Sequence, residues 1–558
     1  MAGLALWTNV IPPNSQRVDK GRSQDHSTCM YIETVAAKKN LSIEELTGTL
    51  KRMDEKLDVI TAFAQQNDGQ RQAPTTGLAS TPGDSQFAAF SPLNFGSTGV
   101  VQNAPTPFLD TGRVLEELSL SQRHSTAPQH LLTWPCSTLQ MSEPDLQYLM
   151  ELEINRSSLS RSTAPPRCLE PPPSESWLSR LFLSQVSLLT QSYFQHFHPS
   201  CLILNESLFY SQILSKAVQT NFAPDYSSCT VLVVCSLGSI VAHYSGHEEW
   251  SSGNEEDVGL GFFNLASNMF RDLERCNWES VQCLLLMGLF YSAKLRVYDA
   301  WQANHKACCT VSILVPLQRT LETQHCQLFW IAYLQESQIL AEFDFPASGL
   351  GKLASSMPLP VVPGVGADPS HAKYQFFFLA LISMRKLLNR ILFHLYSRDR
   401  TEDPANGEPA HADKPAAFLS VSPSVMFELD RQLEEWRTCL PQGLEFPAYS
   451  EAQLAEVPEL AQTGRSTDER LRGHLMARYF AAKSIIHRPY IYKTLHHGAT
   501  ASLSDADAAG ARTAVGSALM SVVASGILHE PLVLLLHPIN SCRRYVAIVA
   551  PWSSTDQF

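Results

Sequence analysis

The sequence predicts an all-α protein, and three observations carry that prediction. Apolar residues recur every three or four positions through most of the 558-residue chain, the spacing that lines one face of a helix. Alternating apolar and polar runs flanking Asn-Gly turns, which would mark hairpins, are missing. Clusters of Pro, Gly, Ser and Asp cut the chain into pieces of helical length. The expected layout is a short coiled-coil helix near the N-terminus, a disordered linker, and a large multi-helix domain.

The first element is expected at 42–64. Ile43, Leu46, Leu50, Met53, Leu57 and Ile60, followed by Ala64, alternate spacings of three and four, which is a heptad seam with Ile43, Leu50 and Leu57 at position a and Leu46, Met53 and Ile60 at d. Ser42 with Glu45 three residues on forms a capping box. At 1.5 Å per residue this helix reaches about 33 Å, so it makes a short seam whose pairing is conditional on its partner. Packing of the same face on its own domain is the competing use of the pattern.

Residues 65–130 are rich in Gln, Ser, Thr, Pro, Gly and Ala and have no sustained period, as a flexible linker does. The body is expected over 131–545, with flexible insertions at 157–176, 398–418 and 441–468. Within it, Leu178, Phe182, Val186, Leu189, Tyr193 and Phe197 trace one buried stripe. Further helices are expected over 230–243, 260–271, 279–291, 298–314, 327–342 and 374–396. Aromatic residues on these stripes, Phe290, Trp301, Phe329 and Trp330 among them, are expected in the core.

Composition excludes several classes. The 42 Lys and Arg against 54 Asp and Glu leave a formal charge of −12, a field that repels phosphate backbones, so any nucleic-acid contact must be local. The first ten residues carry no basic segment, so no signal peptide is expected. The apolar runs at 230–242 and 280–290 fall short of the ~18 residues of a membrane span, so no membrane partner is expected. Thirteen cysteines scattered through apolar segments read as reduced, buried thiols.

Catalytic patterns are not found. There is no G-x-S-x-G elbow, and the stretch from Gly349 to Lys352 lacks the earlier glycine and the following Ser or Thr of a phosphate loop. His243 and His247, four apart and followed by Glu248 and Glu249, have the spacing of zinc ligands but sit at the polar end of an apolar helix. His196 and His198 point to different faces, and Glu255 and Glu256 belong to a polar loop. No catalytic residue and no enzyme activity are expected.

Four segments in order carry a resemblance. APQHLLTWPCS at 127–137 is similar to a Leu/Trp-Pro segment, and YFQHFHPSCLILNESLFYSQI at 193–213 to an opening helix. In LFWIAYLQESQILAEFDFPASGLGKLASSMPLP at 328–360, Phe329 and Trp330 anchor a helix, Glu336 and Ser337 fall at its middle, and Phe345, Pro346 and Gly349 close it. LRGHLMARYFAAKSIIHRPYIYKTL at 471–495 ends in the step Arg488, Pro489, Tyr490. Together these resemble the middle homology region of fungal zinc-binuclear-cluster (Zn2Cys6) transcription factors, especially regulators of secondary-metabolite gene clusters. The resemblance implies a nuclear regulator of transcription that acts on promoter DNA and pairs with itself or a related factor through the 42–64 helix.

In that family a module of six cysteines within roughly 30 residues holds two zinc ions, whose binding folds it. Only Cys29 lies in the first 64 residues, where Cys29-Met30-Tyr31 resembles the end of such a module. The module is therefore expected to be missing or truncated over 1–41, with Cys29 as its last ligand and zinc as cofactor only where the full cluster exists. Residues 1–64 hold eight basic and eight acidic side chains, which offers no net phosphate neutralisation. Two uses stay open: a DNA-binding regulator, or a co-regulator that borrows DNA contacts from a heterodimer partner. Leu50→Pro should abolish association through the seam, since proline costs about 3 kcal/mol inside a helix; sedimentation of the full chain, alone and with a partner factor, checks this, and unchanged association contradicts it.

Overall fold

A computed structural model describes residues 131, 134, 141–157, 159, 181–247, 258–343, 345–360, 369–396, 422–450, 466–496 and 504–526. The seam residues, Cys29, the linker at 65–130, the 398–418 insertion, Leu178 and the acidic pairs after His247 lie outside the described residues. Every regular element among the described residues is helical, as the periodicity predicts.

Helix α1 (Glu143–Ile154) opens on Ser142, whose backbone N–H donates to Asp145 Oδ2 at 2.7 Å in a reciprocal cap. Helices α2 (Leu183–His196), α3 (Tyr226–Tyr244), α4 (Leu260–Leu273), α5 (Trp278–Ala293), α6 (Val297–Leu317) and α7 (Thr323–Leu340) build a first core. A helical run from Glu206 to Gln219 between α2 and α3 carries a π-helical centre, Phe209–Leu214. α3 is the axis of this core, apolar on every side and buried without a break from Ser228 to Ala242. Asp225 starts it by accepting the Ser228 N–H at 2.8 Å, and Asn277 starts α5 by accepting the Ser280 N–H at 2.8 Å. α2 lies directly on α3 because Gly238 has no side chain: a Cβ there would stand 2.0 Å from the Leu189 carbonyl oxygen.

α3 is longer than the run at 230–243 suggested, and its 19 residues are apolar enough to cross a membrane by length and composition. Its most apolar window is 83% buried inside the protein, which marks it as a core helix. The first turn of α7, Thr323 to Cys326, extends that helix upstream of the expected start at 327, where Cys326 is buried in the core and His325 stacks on Trp278 with ring centroids 4.3 Å apart. α8 (Pro369–Tyr396) begins earlier than 374, with proline in its first position. Phe182 departs from the expected buried stripe: it caps α2 from outside the helix and is 68% exposed. Trp301 is half-exposed rather than core, lying against Phe345 with ring centroids 4.9 Å apart.

α8, α9 (Pro423–Thr438), α10 (Thr467–His496) and α11 (Asp505–Ser525) form a second core. Residues 441–450, expected within a flexible insertion, are seated on it through fully buried Leu444 and buried Phe446. Trp134 stands edge-on to Tyr492 at 5.0 Å, at the end of α10. A chain of charges joins α9 to α10: buried Lys483 Nζ lies 2.9 Å from both Asp430 and Glu434, and the Tyr479 hydroxyl donates to Glu434. Burial alone would raise both carboxyls. The His487 hydrogen bond and the Lys483 charge hold Asp430 below the usual carboxylate range, and bonds from Tyr479, Lys483 and Arg437 do so for Glu434.

Pro489 sits inside α10 and has no N–H for the carbonyl of Ile485, four residues back. The Tyr396 hydroxyl of α8 fills that place, donating to the Ile485 carbonyl at 2.7 Å in the buried interior. Tyr396→Phe should therefore cost about 1–3 kcal/mol by leaving a buried carbonyl unmatched. In the Pro489→Ala background, where the restored N–H can reach that carbonyl, the same substitution should cost less; urea unfolding of the four proteins checks the cycle, and an equal cost in both backgrounds contradicts it.

Candidate functional site

The two cores meet along α7, α8 and α10, and there they leave a cavity of about 120 Å³. Its apolar wall comes from Leu289 of α5, Ile331 and Leu334 of α7, and Phe378, Met384 and Leu388 of α8. Its polar groups come from separate elements: Asn304 from α6, Gln335 and Gln338 from α7, Arg385 from α8, and His474 and Arg478 from α10. Apolar walls with a few convergent polar groups, placed between packed units, are the usual makeup of a small-molecule site.

Five of these six polar groups are held by hydrogen bonds at the cavity. Arg385 Nη1 donates to the Ser337 carbonyl at 3.2 Å. Arg478 Nη2 donates to Gln338 Oε1 at 2.7 Å, and its Nε donates to His474 Nε2 at 3.4 Å. An accepting Nε2 places the imidazole proton of His474 on Nδ1. Both arginines are more than nine-tenths buried, at 4% and 9% exposure. Gln335 donates through Nε2 to Cys201 Sγ at 3.6 Å. Burial pushes the Cys201 thiol up to about 12, so it remains S–H near neutrality.

Two acceptors at the cavity find no donor among the described residues: Asn304 Oδ1 and Gln335 Oε1. Asn304 is 2% exposed. It can lie this deep because position 288 is glycine: a Cβ there would meet Asn304 Oδ1 at 2.2 Å. A buried acceptor without a donor costs about 1–3 kcal/mol, and a bound molecule that donates to it recovers that cost.

Next to the cavity, α7 is tied to the turn that follows it. Glu336 Oε1 accepts the Ser348 backbone N–H at 2.7 Å and Oε2 accepts its hydroxyl at 2.9 Å. Burial raises the Glu336 carboxyl, against the lowering effect of the two Ser348 bonds. Trp330 Nε1 donates to the Pro358 carbonyl at 2.9 Å, and Gly349 takes φ +85° to let the chain turn. Glu336 and Ser337 thus lie toward the C-terminal end of α7 rather than at its middle, where the carboxylate can reach the turn.

The histidine pairs carry no metal geometry. Among the described residues no three of His, Cys, Asp and Glu come together as ligands. His196 bonds through Nδ1 to the Ser192 carbonyl, within its own helix, and His198 is buried against Phe194 with ring centroids 5.0 Å apart. Residues around Gly349 form a 3₁₀ turn (Leu350–Leu353), not a phosphate cradle. The described cysteines are free thiols, with Cys229, Cys235, Cys283, Cys308 and Cys326 buried. The cavity polar groups were not singled out from sequence: they are spread over 174 positions, from Asn304 to Arg478, and only the packing of four helices collects them.

Comparison with known proteins bears on this body directly. Residues 190–342 match the fungal specific transcription factor domain. The candidate transcription factor ecdB of Aspergillus rugulosus is 24% identical over 432 residues, an alignment covering 70% of this chain and 66% of that protein. The chain thus spans just under two thirds of that relative's length. No solved structure matches it. The matched stretch runs from within α2 to just beyond α7, so it contains α3 to α7 and the three cavity carboxamides, Asn304, Gln335 and Gln338, while both arginines lie outside it. Over residues 190–342 this chain is thus similar to the fungal specific transcription factor domain, the middle homology region of zinc-binuclear-cluster factors.

Proposed function

We propose that the chain is a transcriptional regulator of the fungal zinc-cluster type, that it works in the nucleus, and that it controls a secondary-metabolite biosynthetic gene cluster. The observation that carries this is the domain match over 190–342, which takes in most of the first helical core. The similarity to a candidate transcription factor along 70% of the chain supports it. Control of a secondary-metabolite cluster rests on the order and spacing of the four resembling segments. In this reading the Ile43, Leu46, Leu50, Met53, Leu57 and Ile60 seam pairs the chain with itself or with a related factor, and 65–130 tethers the seam to the body. The cavity between the two cores is where the body receives its signal.

A second reading follows from the charge of the first 64 residues. Eight basic and eight acidic side chains give that arm no net attraction for phosphate. On this ground the chain acts as a co-regulator whose partner supplies the DNA contacts.

Chromatin immunoprecipitation of the tagged chain, paired with transcript profiling after deletion of its gene, tests the proposal. The expected result is enrichment at the promoters of a contiguous set of biosynthetic genes whose transcripts change on deletion. Enrichment that vanishes when a partner factor is deleted selects the co-regulator. No promoter enrichment and no transcript change overturn both.

A further inference from the structure

We infer that the cavity between the two cores binds a short carboxylic acid that carries a hydroxyl or amino group beside its carboxylate. The inference rests on reading the cavity as the signal-receiving site of the regulator, and it goes further by naming the chemistry of the ligand.

Size sets the first limit. A cavity near 150 Å³ takes up a benzene ring, so the about 120 Å³ available here holds about five to seven non-hydrogen atoms. That excludes nucleotides, sugars and extended aromatic products. Acceptors and donors set the second. Asn304 Oδ1 and Gln335 Oε1 have no donor among the described residues, so the ligand must bring one. Arg385 and Arg478 present guanidinium groups to the same space, and the lining contains no Asp or Glu. A planar carboxylate is the group whose two oxygens fit guanidinium N–H geometry. The apolar faces of Leu289, Ile331 and Leu334 leave room for a short carbon body.

The wall also says what binding does. Asn304 and Gln335 belong to helices of the first core, whereas Arg478 belongs to the second. A molecule held by both sets joins the two cores and stabilises their junction by mass action. The signal is then a change in how firmly α10 is held against α7.

Titration calorimetry of the full chain with L-lactate and L-alanine, each having six non-hydrogen atoms, tests this, with propionate as the analogue lacking the donor. The expected result is saturable one-to-one binding of at least one of the two, with propionate about tenfold weaker or worse, as loss of one hydrogen bond to a buried acceptor predicts. Asn304→Leu and Arg478→Met should each weaken the bound acid by about tenfold or more, with helical content unchanged. Absence of saturable binding by both acids overturns the inference, as does equal binding of propionate, which needs no variant to fold. Promoter occupancy in the preceding experiment is measured separately: occupancy without acid binding removes the ligand and keeps the regulator, and binding without occupancy does the reverse.

Discussion

Helix α8 belongs to both cores, and the rest of the body is arranged around that constraint. Phe378, Leu379 and Ile382 pack into the first core, while Phe377, Ala380, Met384 and Leu388 pack into the second. Neighbouring residues of a helix point about 100° apart, and here that step takes Phe377 into the second core and Phe378 into the first. Tyr374 and Phe376 touch both. A helix apolar on opposite sides has no solvent face to spare along this stretch, which is why α7 and α10 close over it. The cavity lies where side chains on those diverging faces separate, and its lining is drawn from both sides for that reason.

A body packed this way must satisfy the polar groups it encloses. It does so with specific partners across elements rather than with local bonds alone. Tyr396 supplies the donor that Pro489 withholds from Ile485. Glu336 accepts twice from Ser348 and fixes the exit of α7. Lys483 is held between Asp430 and Glu434, joining α9 to α10. Each of these requires one relative placement of two helices, so together they narrow the packing that the apolar surfaces would tolerate. Asn304 Oδ1 and Gln335 Oε1 are among the buried atoms left without such a partner among the described residues, and these two face the same cavity.

The all-helical class was legible because apolar periodicity is local: Thr230 to Ala242, Leu260 to Phe270 and Phe329 to Leu340 each announce a helix without reference to anything distant. Errors came where local signals compete with tertiary ones. Phe182 keeps helical spacing with Val186 yet lies before the helix and in solvent. Leu444 and Phe446 sit among Pro and Gly, a composition that reads as a loop, and are held by the second core instead. Glu336 stood out only as part of a resembling segment, and its bond to Ser348 gives that position a physical reason. The cavity was not legible at all. Arg385, His474 and Arg478 look like ordinary polar positions on amphipathic helices until α8 and α10 pack and bury them.

If α8 makes one unit of the two cores, they should open together. Native-state hydrogen exchange of the full chain at rising urea measures this directly, by the free energy at which each helix loses amide protection. The structure predicts that the protected amides of α3 and α5 and those of α10 converge on a single opening. Loss of protection in α9, α10 and α11 at distinctly lower urea, with α3 to α5 still closed, would contradict it and leave the cavity as the seam between two independent parts.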